Sequence, residues 1–168
     1  MKFAFALLAA FGIVGASCGS PPSTFPEVAE CAQPAPLPTA RGVPGTVSTQ
    51  SYVNRLRNGA DTLAKLRADL RLKYADDTFY RRESFRPDFA TYADQTICGA
   101  QAMLDLSAPD TRFAEFESKL DVTLNDLIEH TRAGREAVRA RNVSDYRKWY
   151  RESDAKVSAV RDAAYAQR

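Results

Sequence analysis

The chain has 168 residues, 23 of them basic and 21 acidic, with one histidine and three cysteines. That length suits a single domain, and the near-neutral balance argues neither for a nucleic-acid binder nor for an acidic tail. Loss of Lys2 with an N-terminal leader leaves 22 basic against 21 acidic residues, a net charge of about +1.

Residues 1–17 read as a secretory signal. Lys2 is followed by an apolar run from Phe3 to Ala16, too short to span a bilayer as a stable helix. Small residues Gly15, Ala16 and Ser17 then lead to Cys18. Over residues 1–20 this context resembles a bacterial lipoprotein signal with its lipobox. Ala16 and Ser17 fit that pattern, and Gly15 departs from it, standing where such signals carry Leu, Val or Ile. The resemblance implies that Cys18 becomes the lipid-bearing, palmitate-carrying first residue of an exported protein anchored at the cell membrane or outer membrane. Gly19 rather than Asp follows the cysteine, which favours the outer membrane in a Gram-negative cell. The alternative is an ordinary signal cleaved near Ser17 or Gly19, giving a soluble secreted or periplasmic protein. Beyond residue 20 the chain resembles no family we can name.

An odd number of cysteines in an exported chain needs an explanation. With Cys18 lipidated, Cys31 and Cys98 remain as a pair in an oxidising compartment. We expect a Cys31–Cys98 disulfide. It closes a 67-residue loop, which the chain-entropy relation values at roughly 4 kcal/mol. Two unpaired thiols, with Cys98 on an apolar helix face, are the alternative. No CxxC or CxxH spacing occurs, so no metal site is expected.

Residues 18–47 form the lipidated cysteine and a Pro-rich tether. Seven of the nine prolines fall between 19 and 47 with only three charges, a composition that favours extended polyproline-like chain and forbids a helix. With Cys31 bridged, residues 19–30 remain as a stalk of at most about 35 Å.

Residues 48–168 carry the period of α-helices. In the first helix Tyr52, Leu56, Leu63, Leu66, Leu70 and Tyr74 share one face, and Arg67 is assigned to the solvent side. Ser48 or Thr49 caps its start, and it fades near Asp76 and Asp77. A second helix with Pro87 in its first turn buries Phe89, Ala93, Ile97, Ala100 and Leu104, with Met103 beside them. Residues 107–110 (SAPD) read as a new start, with Asp110 placed like the acid of a capping box, before a long third helix lined by Phe113, Phe116, Leu120, Leu124, Leu127, Thr131, Gly134 and Val138. Asn142 or Ser144 opens the fourth, with Tyr146, Tyr150, Val157, Val160 and Ala164 inward. We therefore expect an all-α, antiparallel up-down four-helix bundle. Three helices with a separate hairpin are the fallback.

Charge is unevenly placed. Residues 110–129 hold six acids and two bases, and residues 132–151 hold seven bases and two acids. Macrodipole complementarity explains much of helix three. It does not explain the bases of residues 146–151 (YRKWYR), at the beginning of helix four. An up-down topology gathers Arg71, Lys73, Arg81, Arg82, Arg86, Arg139, Arg141, Arg147, Lys148 and Arg151 at one pole. We expect Arg139, Arg141, Arg147, Lys148 and Arg151, with Trp149 as aromatic anchor, to contact an anionic envelope polymer or protein partner. Internally paired charges with Trp149 in the core are the alternative. The lipid tether is expected to join the bundle at the opposite pole.

Catalytic motifs are missing. His130 is the lone histidine, placed one turn from Asp126 as a surface pair, and there is no GxSxG. One histidine cannot supply two Glu-x-x-His motifs for a di-iron bundle, and no CxxCH or glycine-rich phosphate loop occurs. Asp76 and Asp77 are adjacent acids at a helix end, the ordinary state of loop residues. We expect no cofactor, no nucleic-acid partner and no enzymatic activity. The function expected is that of a lipid-anchored extracytoplasmic binding or scaffold module. The alternative is a non-catalytic, sensor-like bundle holding a small molecule near Tyr74, Tyr92 and Tyr150.

Overall fold

The structure, a computed structural model, describes Phe25, Glu30, Cys31 and residues 48–75, 80 and 82–166. The leader, Cys18, most of the tether, and Asp76, Asp77, Phe79 and Arg81 lie outside the described residues. Four helices make up the domain: α1 Thr49–Lys73, α2 Phe85–Leu104, α3 Ala114–Arg139 and α4 Val143–Tyr165. A 3-10 turn, Thr111–Phe113, precedes α3. α1 packs on α2 and α4, and α3 packs on the same two helices, which is the square of neighbours in an up-down four-helix bundle.

The helix ends follow from local chemistry. Ser48 Oγ accepts from the Ser51 N–H at 3.2 Å, and Asn142 Oδ1 accepts from the Asp145 N–H at 3.2 Å, so each cap satisfies an orphan donor. Asp110 accepts from the Arg112 N–H at 2.8 Å and opens the 3-10 turn, not α3 itself. α1 stops at Lys73, before the expected fade point. Between α3 and α4 the Asn142 N–H reaches Ala137 O at 2.8 Å and the Arg141 N–H reaches Val138 O at 3.2 Å. That is a Schellman pair. Arg141 takes the left-handed position at φ 58°, where glycine is usual.

The core has two halves. The half near the α1 start is aliphatic, built on Leu56, Leu63, Ile97, Leu120, Leu124 and Val160. The half near the α1 end is aromatic: Tyr74, Phe85, Phe89, Tyr92, Tyr146 and Trp149. The expected stripes are buried, with Leu66, Leu104, Phe116 and Tyr150 half-buried at the margins.

Two expectations need correction. Arg67, expected on the solvent side, is only 2 % exposed. Trp149, the aromatic anchor of the expected contact surface, is only 3 % exposed and lies in the core, as the alternative has it. On α4 the inner line runs Tyr146, Trp149, Ser153, Val157, Val160, Ala164, all at helical three- and four-residue steps. The bases Arg147, Lys148 and Arg151 fall on the outer face of the same turns.

Candidate functional site

Trp149 is the hub beneath the basic pole. Its ring meets Phe89 edge-on at 4.9 Å and Tyr92 at 5.9 Å, and lies 5.3 Å from Tyr146. The Arg67 guanidinium stands 5.3 Å from this ring and 4.4 Å from that of Tyr150. Arg67 Nε donates to Asp154 Oδ1 at 2.8 Å and Nη2 donates to Tyr150 O at 3.0 Å, which makes the buried charge tolerable. Gly134 on α3 leaves room for the indole: a Cβ there would stand 2.5 Å from Trp149 Nε1.

His130 stacks on the other side of Trp149, with ring centroids 5.8 Å apart and planes 18° apart. Its Nε2 lies 3.1 Å from Ser153 Oγ and 3.2 Å from Trp149 O. Burial holds its pKa below the ordinary value, against the opposing pull of the Trp149 carbonyl and of Glu152. The expected Asp126–His130 surface pair is not formed; Asp126 binds Lys156 at 2.8 Å instead. Ser153 stands beside the imidazole but is only 1 % exposed, and its hydroxyl donates to Trp149 O at 2.6 Å. Tyr74, Tyr92 and Tyr150, the expected ligand contacts, are packed into this aromatic half of the core.

The basic pole itself is solvent-facing. Arg139, Arg141, Arg147, Lys148 and Arg151 are all exposed. Arg139 pairs with Glu136 at 3.6 Å, and Arg71 pairs with Asp154 at 3.2 Å. Lys73 binds Asp88 at 2.6 Å, and Tyr74 donates its hydroxyl to the same carboxylate. Burial acts to raise the Asp88 pKa, but Lys73 and Tyr74 outweigh it and hold the carboxyl below its usual range. Arg141, Arg147, Lys148 and Arg151 form no ion pair among the described residues.

A cleft of about 290 Å³ opens at this pole. Phe85, Val138 and Tyr146 supply its apolar lining, and Arg82, Arg86, Arg141 and Glu83 its charged lining. Burial, then the nearby charge of Arg141, lowers the Arg86 pKa. A second cleft, about 520 Å³, lies at the opposite pole and has an acidic lining that includes Asp110, Glu117 and Asp121 beside Tyr52. Tyr52 donates to Glu117 Oε1 at 2.9 Å, and burial followed by the Glu117 charge pushes the Asp121 pKa up.

The described part of the tether lies along α2 and α3. Cys31 and Cys98 stand at disulfide distance, with Cα atoms 5.2 Å apart. The Cys31 N–H donates to Asp94 Oδ1 at 2.9 Å, and Cys31 takes φ 62°. Glu30 binds Arg132 at 2.8 Å and Arg135 at 3.2 Å, and the hydrogen bond from Arg132 holds its pKa down. Phe25 packs on the aromatic half of the core, 5.7 Å below the Arg86 guanidinium. From Cys98 back to Arg86 is twelve residues of α2, about 18 Å of axis at 1.5 Å per residue. Phe25 therefore lies nearer the basic pole than Cys31 does. Ser48, where α1 begins and the tether is expected to join, stands at the opposite pole. The expected stalk of residues 19–30 is too long, because Phe25 and Glu30 already grip the bundle.

Comparison of the chain with protein-family models, with curated proteins and with solved structures finds no match. Among the described residues no helix is long and apolar enough to cross a membrane.

Proposed function

We propose that this protein is a lipid-anchored extracytoplasmic four-helix bundle that acts by contact, holding an envelope or protein partner near a membrane without catalysing a reaction. One observation carries this reading. The chain is fastened to the bundle at Phe25, Glu30 and Cys31, beginning seven residues after Cys18. Such a clamp gives a membrane attachment at Cys18 a firm mechanical link to a folded head. The Cys31–Cys98 pairing also supports it, because it leaves Cys18 as the odd cysteine. The packing of Tyr74, Tyr92 and Tyr150 into the core favours a contact module over a bundle with ligand among those tyrosines.

Intact mass of the membrane-extracted protein, reduced and unreduced, tests the proposal. The expected mass is that of residues 18–168 plus acyl groups, rising by two hydrogens on reduction. A Cys18→Ser form should leave the membrane fraction. Absence of acyl mass, or a Cys18→Ser form that stays membrane-bound, overturns the anchor. Cross-linking in cells should trap a partner on the head in the anchored form; a head that cross-links to nothing overturns the scaffold reading.

A further inference from the structure

We propose that the basic pole is the membrane-facing end of the head and docks on anionic lipid headgroups of the bilayer that holds Cys18. This rests on the anchored reading above and specifies which surface the anchor presents to the bilayer.

Geometry comes first. Phe25 sits at the pole, against Arg86 in the first turn of α2. Seven positions along the chain separate it from Cys18, a reach of no more than about 25 Å even fully extended. The opposite pole is a helix length further away, since α3 has 26 residues and spans about 39 Å. An acyl chain on Cys18 thus keeps the Arg86 end near the lipid. Even a weak surface attraction then acts at high effective concentration.

Charge comes second. Arg141, Arg147 and Lys148 project from this pole without ion pairs among the described residues. Bases at the start of α4 face the positive end of its dipole, so helix stability does not account for them. Arg141 also occupies a left-handed position that glycine would fill at lower cost, which places a guanidinium at the mouth of the cleft. The cleft, about 290 Å³, has headgroup dimensions and combines cationic with apolar lining. It is a pocket, not the long groove that would track a polymer. The cleft at the other pole is lined by Asp110, Glu117 and Asp121 and by no base, so an anionic headgroup would be repelled from it.

The test uses the mature chain, residues 18–168 with Cys18→Ser, so that no acyl group contributes. It is sedimented with vesicles of phosphatidylcholine and with vesicles containing phosphatidylglycerol, at low and high salt. Binding is expected to the anionic vesicles alone and to vanish at high salt. The variant Arg141→Gln/Arg147→Gln/Lys148→Gln should bind on the order of a hundredfold more weakly, at about fivefold per charge. The opposite-pole variant Arg112→Gln/Lys119→Gln/Arg161→Gln should bind normally, with both variants matching the parent in helicity. Equal binding to neutral vesicles, equal loss in both variants, or binding to dextran sulfate with none to vesicles overturns the proposal. In the lipidated protein, a fluorophore at Lys148→Cys should be quenched by labelled headgroups and one at Lys119→Cys should not; the reverse also overturns it. Acyl mass without vesicle binding removes the docking and leaves the anchor. Vesicle binding without acyl mass removes the anchor and leaves a lipid-binding pole.

Discussion

Replacing Gly134 with alanine sets two effects of opposite sign against each other. Alanine in a helix interior is worth about 1 kcal/mol over glycine, so α3 alone would gain stability. The new methyl, however, would sit 2.5 Å from Trp149 Nε1, 2.6 Å from Cδ1 and 2.7 Å from Cε2. Ordinary contact begins near 3.4 Å, so the indole must retreat by about 1 Å. It has nowhere to go. Phe89 is 4.9 Å away, Tyr146 5.3 Å and the Arg67 guanidinium 5.3 Å, all themselves buried. Overpacking of this kind costs about 1–3 kcal/mol or more, and the rigid surroundings put it at the upper end. The expected net loss is about 2 kcal/mol, or roughly 8 °C in Tm for a domain of this size. Thermal unfolding followed by circular dichroism measures it. Emission from Trp149, the only tryptophan, reports the displaced ring directly. In a Trp149→Phe background the same Gly134→Ala change should cost much less, a coupling that a double-mutant cycle reads. A Gly134→Ala protein as stable as the parent, with unchanged emission, would refute the packing of α3 on this indole.

Four further outcomes are expected. Asp154→Ala strips the buried Arg67 of its carboxylate and should cost about 1–3 kcal/mol in denaturant titration, whereas Asp69→Ala at the exposed Lys65 pair should cost under about 0.5 kcal/mol. His130 has its pKa lowered on folding, so the unfolded chain binds the proton more readily. Stability should therefore fall as pH drops through the unfolded value near 6.5, and His130→Gln should flatten that slope between neutral and mildly acid pH. Cys31→Ser should lower stability by roughly 4 kcal/mol at most and expose Phe25 to proteolysis, as seen by limited digestion. Arg141→Gly relieves the left-handed strain and should raise stability by up to about 1 kcal/mol while weakening vesicle binding.

The four helices were legible because each carries an apolar face at helical spacing, and packing needs little more than that. Caps at Ser48 and Asn142 were legible for the same local reason. Errors arose where charge and register disagree. Arg67 lies in line with Leu56, Ala60, Leu63, Leu70 and Tyr74, so spacing put it inside while its charge argued for solvent. Its buried site depends on Asp154, 87 positions along the chain, and such a partner has no local signature. Trp149 was misplaced because it stands among bases. The Tyr146, Trp149, Ser153, Val157 register contained the answer. His130 was paired with Asp126, one turn away, when its neighbour is on α4. The attachment of Phe25 and Glu30 to the bundle was not legible at all. It is decided by Glu30 meeting Arg132 and Arg135 and by Phe25 meeting the aromatic core, contacts between segments with no shared periodicity.

The junction at Cys31 also decides how the head hangs. For a head held through Cys18, traction on the leash reaches the interior of α2 at Cys98 and spares the first turn of α1. Phe25 and Glu30 share that load through the aromatic core and through Arg132 and Arg135, so the bridge stands as a covalent backstop behind two weaker grips.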